Sequence, residues 1–219
     1  MSTPFVTLTG VAAPMIEDNI DTDIIIPSRE MKSTGKTGLA DGLFAGRRYR
    51  EGREPDPGFV LNRPDFAQAA ILLAGDNFGC GSSREHAVWA LVEWGIRCVI
   101  APSFSPIFAG NAVRGGLLPC VLPRAAVQAL AGVGAVTVDL PAQTLVAGEL
   151  SFGFSIDGEA KAMLLGGLDA IDLTLVQADA IRAFQAFDRQ QRPWVYLAQG
   201  TDEGSACYDD AIDSKGRIP

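Results

Sequence analysis

Gly75-Asp76-Asn77-Phe78-Gly79-Cys80-Gly81-Ser82-Ser83-Arg84-Glu85-His86 is the stretch that decides the fold. It joins an apolar run, Ala70-Ile71-Leu72-Leu73-Ala74, to a segment where Ala87, Val88, Leu91, Val92 and Trp94 recur at helical spacing before Gly95. The run reads as a strand buried on both faces, and the segment as an amphipathic helix stopped by glycine. Between them, Gly79 and Gly81 let the backbone approach a ligand closely, and Arg84 offers a planar fork that matches a carboxylate. Ser82-Ser83-Arg84-Glu85 fits the capping-box pattern. That pattern predicts Ser82 at the N-cap, with free backbone N–H groups that favour an anion.

Two sharper motifs fail on residue content. A phosphate-binding P-loop needs lysine directly before the hydroxyl residue, where Gly81 stands, and a dinucleotide fingerprint needs glycine where Arg84 stands. The plain alternative is that Ser82 does nothing beyond capping its helix.

Outward from this turn the chain alternates between strand and helix. Phe5 to Val11 reads as an opening strand, Arg97 to Ala101 as a second buried one, and Ser105 to Arg114 as a helix. Such alternation implies right-handed crossovers and a parallel sheet. After Pro119 the pattern changes to a helix near Ala125 to Ala131 and short strands at Ala135 to Asp139, Thr144 to Ala147 and Leu150 to Ile156, which suit a mostly antiparallel sheet at one side. Lys161 to Leu165 and Leu175 to Arg189 read as helices. Residues 28–64, rich in glycine, proline and arginine with little periodicity, read as a long functional or mobile loop. The class is α/β, one globular unit over 1–197 followed by a polar, acidic tail at 198–219.

Composition narrows the function. A net charge of −8 opposes nucleic acid and anionic membranes as partners, since both require a basic surface. No stretch approaches the roughly 20 apolar residues that cross a bilayer, and the start of the chain lacks a secretory pattern, so a cytoplasmic protein is expected. Four widely spaced cysteines and a single histidine encode neither a zinc site nor an iron–sulfur framework, so no metal ligand is assigned to this chain.

The Gly-Ser-Ser-Arg-Glu run resembles the serine loop of the aconitase family's swivelling domain. Asn19-Ile20-Asp21-Thr22-Asp23-Ile24-Ile25-Ile26-Pro27-Ser28 is similar to that family's Asp-Thr-Asp segment. Ala101 to Asn111 with Gly116-Leu117-Leu118-Pro119 is similar to the segment after the serine helix. Ala180 to Phe184 through Arg192-Pro193-Trp194 resembles the closing helix of one branch, the 3-isopropylmalate dehydratase small subunits.

The resemblance covers roughly residues 5–197 and implies a three-layer β/β/α swivelling domain. It implies a hydro-lyase that isomerises 2-isopropylmalate to 3-isopropylmalate, in leucine biosynthesis, by removing water and returning it at the neighbouring carbon. It also implies a heterodimer or larger assembly in which a 4Fe–4S cluster belongs to the large subunit. By that resemblance Ser82 is the catalytic base, and Ser83, Arg84, Lys36 and Gly81 meet the dicarboxylate substrate. Asp23 and Gly79 support them, Asp23 by orienting the arginine or the serine.

Several residues keep an alternative reading. Asp21 and Asp23 suit an Asx turn. His86 suits a structural role better than a serine–histidine relay, and Asn111 suits core hydrogen bonding. The segment Pro27 to Gly38 departs from the branch pattern, which has an aromatic-aliphatic pair at Glu30-Met31 and arginine at Lys36. A charged Glu30 facing an isopropyl group would carry a desolvation penalty, so either Glu30 points to solvent or the substrate differs. Another substituted malate or citrate analogue remains an alternative substrate, and a non-catalytic carboxylate-binding module is the alternative from another class.

Overall fold

A computed structural model describes residues 3–31 and 35–196, and the expected acidic tail at 198–219 lies outside them, as does Cys207. The chain divides into two compact units, Met1–Leu173 and Thr174–Pro219. That division falls ahead of the expected end of the globular unit at 197.

The first unit is built on β1 (Thr7–Met15), α1 (Thr22–Ile25), α2 (Ala45–Arg48), β2 (Ile71–Ala74), α3 (His86–Trp94), β3 (Cys98–Ala101) and α4 (Pro106–Arg114). There follow β4 (Leu118–Val121), α5 (Arg124–Leu130), β5 (Ala135–Asp139), β6 (Thr144–Ala147), β7 (Leu150–Gly153) and α6 (Gly158–Gly166). The helix α7 (Ala170–Leu175) spans the division, and α8 (Ala178–Gln191) belongs to the second unit.

The seven strands form one sheet in the order β4-β3-β2-β1-β5-β6-β7. β1 is its pivot. Thr7 to Val11 pair antiparallel with β5, and Ala12 to Met15 pair parallel with β2. The strand therefore runs past the expected end at Val11, because its second half has a different partner from its first.

Period-two alternation on the parallel strands divides the core between two faces. Ile71, Leu73, Cys98 and Ile100 share one buried cluster with Val136, Val138 and Leu145 of the antiparallel half, so the sheet curls over itself. Leu72, Ala74, Val99 and Ala101 face the other way, into a cluster with Ala87, Val88 and Leu91 of α3. These are the layers of a β/β/α arrangement, with mixed strand directions as expected.

Three expectations need correction. The serine helix begins at His86, with Glu85 before it and no side-chain cap, so Ser82 is not an N-cap and the capping box is not made. Positive φ at Gly79 and Gly81, with the Ser82 N–H held by Thr22, keeps residues 82–84 from winding into the helix. The described residues of 28–64, expected as one long loop, carry a series of short helical turns. Short helical turns bury Leu39, Leu43, Phe44 and Leu61, and Arg48, only 3% exposed, donates to Ala40 O and Asp41 O. Finally, the helix expected over Leu175 to Arg189 starts later, at Ala178, since Leu175 closes α7.

In the second unit α8 folds back on the turn Pro193–Val195. Asp188 ties the two, accepting from Arg192 Nε at 2.7 Å and Tyr196 Oη at 2.8 Å.

Candidate active site

Ser82 follows the C-terminal end of β2, the end where parallel α/β sheets place their ligands. The loop is fixed from below by aromatic packing. Phe78 and Phe108 meet edge to face at 5.2 Å, and a Cβ on Gly79 would stand 2.2 Å from Phe108 Cγ. Gly79 therefore needs both its missing side chain and its φ of +75°.

The Asp-Thr-Asp segment lies alongside. Gly79 N–H donates to Ile20 O at 2.8 Å, Thr22 N–H to Cys80 O at 2.9 Å, and Ser82 N–H to Thr22 Oγ1 at 3.1 Å. Gly81, at φ +94°, has Thr22 Oγ1 where a Cβ would lie 3.3 Å away. Asp21 caps α1 by accepting from Ile24 N–H at 2.7 Å, so it is occupied as a turn former, whereas Asp23 turns toward the loop.

Arg84 gathers the site. Its Nε donates to Ser82 Oγ at 3.1 Å, its Nη1 to Ser28 Oγ at 2.7 Å and its Nη2 to Asp23 Oδ1 at 2.6 Å. Ser28 Oγ also donates to Asp23 Oδ1, at 3.1 Å. The hydrogen bond from Arg84 holds the Asp23 carboxyl below its usual range against a modest opposing effect of burial, and Ser28 adds to the lowering. The Arg84 side chain is 29% exposed, enough to face a ligand while its geometry is held from within. A positive donor on Oγ favours the alkoxide form of a serine.

Ser83 is exposed beside Ser82, and its carbonyl accepts from Asn111 Nδ2 at 3.1 Å. Asn111, 5% exposed, thus braces the serine loop from α4. His86 makes no bond to Ser82; its ring lies 4.8 Å from that of Trp89.

Lys36 does not join this group. Its ammonium sits 5.5 Å from the centre of the Trp89 ring, on α3. The same helix holds the neighbouring loop, since the Glu93 carboxylate accepts from Gly38, Leu39 and Ala40 N–H at 2.6, 2.5 and 3.0 Å. Burial raises the Glu93 carboxyl, but these three donors outweigh it and hold it below its usual value.

Glu30 is neither solvent-directed nor aimed at the site. Its side chain is 8% exposed, and both oxygens lie 3.2 Å from Arg53 Nη1. Met31, in turn, places its sulfur 4.0 Å from Arg84 Nη1, giving the site an apolar neighbour.

Sequence reasoning missed Thr22, Ser28, Glu93 and Arg53. Thr22 and Ser28 lay inside the segment already singled out and were open to inference. Glu93 and Arg53 act across 53 to 55 and 23 residues, and no local pattern marks those partners.

Cys98 and Cys120 are buried in the sheet, where burial pushes the Cys98 thiol well up and the Cys120 thiol to about 12. Among the described residues no three His, Cys, Asp or Glu side chains are grouped to hold a metal. No described helix is long and apolar enough to cross a membrane.

The Aconitase C-terminal domain family matches residues 2–125, and the family for the C-terminal domain of the 3-isopropylmalate dehydratase small subunit matches residues 171–198. A 3-isopropylmalate dehydratase small subunit from Cupriavidus necator is 57% identical over 204 residues, covering 89% of this chain and 98% of that protein. One from Sinorhizobium fredii is 50% identical over 197 residues, covering 87% and 98%. The crystal structure of 3-isopropylmalate dehydratase from Methanocaldococcus jannaschii matches with a TM-score of 0.63 at 29% identity, covering 82% of this chain and 99% of that one. Matching both families and similar to these small subunits over nearly their whole length, the chain belongs to the family of 3-isopropylmalate dehydratase small subunits.

Proposed function

We propose that this chain is the serine-bearing subunit of a hydro-lyase that interconverts 2-isopropylmalate and 3-isopropylmalate, working only with a large subunit. The small-subunit naming of its relatives implies that larger partner. The contact that carries the reading is Arg84 Nε on Ser82 Oγ, at 3.1 Å.

In the forward direction Ser82, as alkoxide, takes the proton from C3 of 2-isopropylmalate, and the electron pair of that C–H bond becomes the new carbon–carbon double bond as hydroxide leaves C2. Water then returns with its oxygen on C3 and its proton on C2. The proton abstracted is weakly acidic, so the base must be strong yet held at low free energy. Arg84 supplies that stabilisation, and Asp23 and Ser28 fix the guanidinium plane. The support comes from this side chain and not from helix N–H groups, because α3 starts four residues beyond the serine.

Ser83 and the Gly81 backbone are proposed to meet a substrate carboxylate at the exposed rim of the loop. Met31, whose sulfur lies 4.0 Å from Arg84 Nη1, is the proposed contact for the alkyl substituent. Lys36 would contribute only after its segment leaves Trp89. The buried cysteines do not fit an iron–sulfur cluster, so the 4Fe–4S centre is assigned to the large subunit, and no step assigned to this chain runs through it.

The test is anaerobic reconstitution with a cluster-loaded large subunit, following the unsaturated acid from a panel of substituted malates. Turnover of isopropylmalate that disappears in Ser82→Ala supports the reading. Activity on another malate alone would move the substrate, and an assembled complex with no turnover would leave a binding module.

A further inference from the structure

A cavity of about 490 Å³ opens beside α3, with Lys36, Trp89, Val92, Glu93, Arg97 and Arg114 in its lining. Pockets that hold small organic molecules have volumes of this order. Arg97 immediately precedes β3, and its N–H bonds Ala70 O at 2.8 Å, just before β2. This is the N-terminal end of the parallel strands, whereas Ser82 follows the C-terminal end of β2. The cavity therefore reaches the end of the sheet opposite the serine loop.

The charges in the lining are unevenly used. The Glu93 carboxylate is engaged by three backbone N–H groups, and Asp169, also in the lining, accepts from Ile171 and Asp172 N–H at 2.8 Å each. Among the described residues the cations are less fully engaged. Arg97 Nη2 reaches only the carbonyls of Thr3, at 2.8 Å, and Pro4, at 3.4 Å, and its Nε is enclosed without a hydrogen bond. Among the described residues Arg97 has no carboxylate in ion-pair range, and burial pulls its pKa down. Lys36 rests on the Trp89 face, and Arg114, bonded to Asn111 Oδ1, has its nearest carboxylate, Glu85, 4.0 Å away. A half-buried guanidinium whose Nε is enclosed and which has no counter-charge among the described residues gains from an anion that reaches it.

We propose that this cavity is a second ligand site, distinct from the serine loop, which takes a small organic acid. Its carboxylate is seated on Arg97, and its apolar portion lies against Trp89 and Val92. An inorganic anion would satisfy the guanidinium but leave the indole wall bare, so the site discriminates in favour of an acid with a hydrocarbon body.

The test is an NMR titration of the full-length, nitrogen-15-labelled chain with phenylsuccinate, following the Trp89 indole N–H and the Arg97 Nε–H. Inorganic phosphate and 2-phenylethanol serve as the charge-only and ring-only probes. The expected result is a saturable shift at both groups with a Kd of about 0.1–10 mM, at least about tenfold tighter than for either control. Arg97→Gln should weaken it about tenfold or more. Thr37→Glu, at an exposed position of the lining, should do the same with no packing removed, and it decides the matter if Arg97→Gln fails to fold. Ser82→Ala should bind like the parent, which separates this site from the reading of the serine as base. An absent shift, equal binding of phosphate, or equal binding by Thr37→Glu and the parent would overturn the proposal.

Discussion

The Asp23 carboxylate and the Arg84 guanidinium meet at 2.6 Å across 61 residues of sequence, and this pair aims the remaining arginine nitrogens at Ser82 and Ser28. On the proposed reading of Ser82 as base, Asp23 is a positioning residue that acts on the serine through the arginine. The activities in question are those of the enzyme reconstituted with its large subunit.

Ser82→Ala should lower kcat by about 10³-fold or more, since no second base stands beside it, while KM changes little. The side chain is exposed, so thermal unfolding should stay within about 0.5 kcal/mol of the parent. Steady-state kinetics and a melting curve on the same preparation check both. Retained turnover would remove the serine from the reaction.

Arg84→Lys should lose about 10²–10³-fold in kcat although charge is kept. One guanidinium reaches Ser82, Ser28 and Asp23 together, and a lysine's single ammonium cannot hold that planar fork. Kinetics of the lysine variant beside Arg84→Gln separates geometry from charge.

Asp23 has a folded-state pKa below its ordinary value of 3.8, chiefly through Arg84. Its ionised contact is therefore fully present above that value and lost only as pH falls through the lowered one. Asp23→Asn should reduce kcat about tenfold and by a constant factor from pH 5 to 9. A ratio of variant to parent that varies across that range would show another group in control.

Glu93→Ala should free the segment Gly38 to Ala40 while leaving the serine loop intact. Three N–H groups lose one acceptor, so their amide hydrogen exchange should accelerate by about 10–100-fold, equivalent to about 1–3 kcal/mol of local stability. Unchanged exchange at Leu39 would refute the clamp.

Gly79→Ala should destabilise the fold by about 2–4 kcal/mol, because the added methyl meets the Phe108 ring and the residue must keep a positive φ. Denaturant unfolding measures this directly. Gly132→Ala, with open space around its Cβ, is the neutral comparison.

Much of this protein was legible in the residues alone. The runs at Ile71 to Ala74 and Cys98 to Ala101 are continuously apolar because both faces of those strands are covered, and local pattern reports such burial directly. The Gly79, Gly81 and Arg84 constellation marked the candidate site, since backbone room and a forked cation are chemical properties of those residue types. Tertiary structure decided how they are used. Ser82 reads as a helix cap from Ser82 to Glu85, but contacts from Thr22, 60 residues away, keep the loop unwound and present its hydroxyl to Arg84. Glu30 reads as a conflict with an apolar substrate until Arg53 is found beside it. Strand, helix and turn propensities are set by neighbours a few residues apart, so the sequence itself determined the elements and the chemical groups. Pairing of charges and orientation of a hydroxyl depend on which distant segments the sheet brings together, and only the folded chain decides that.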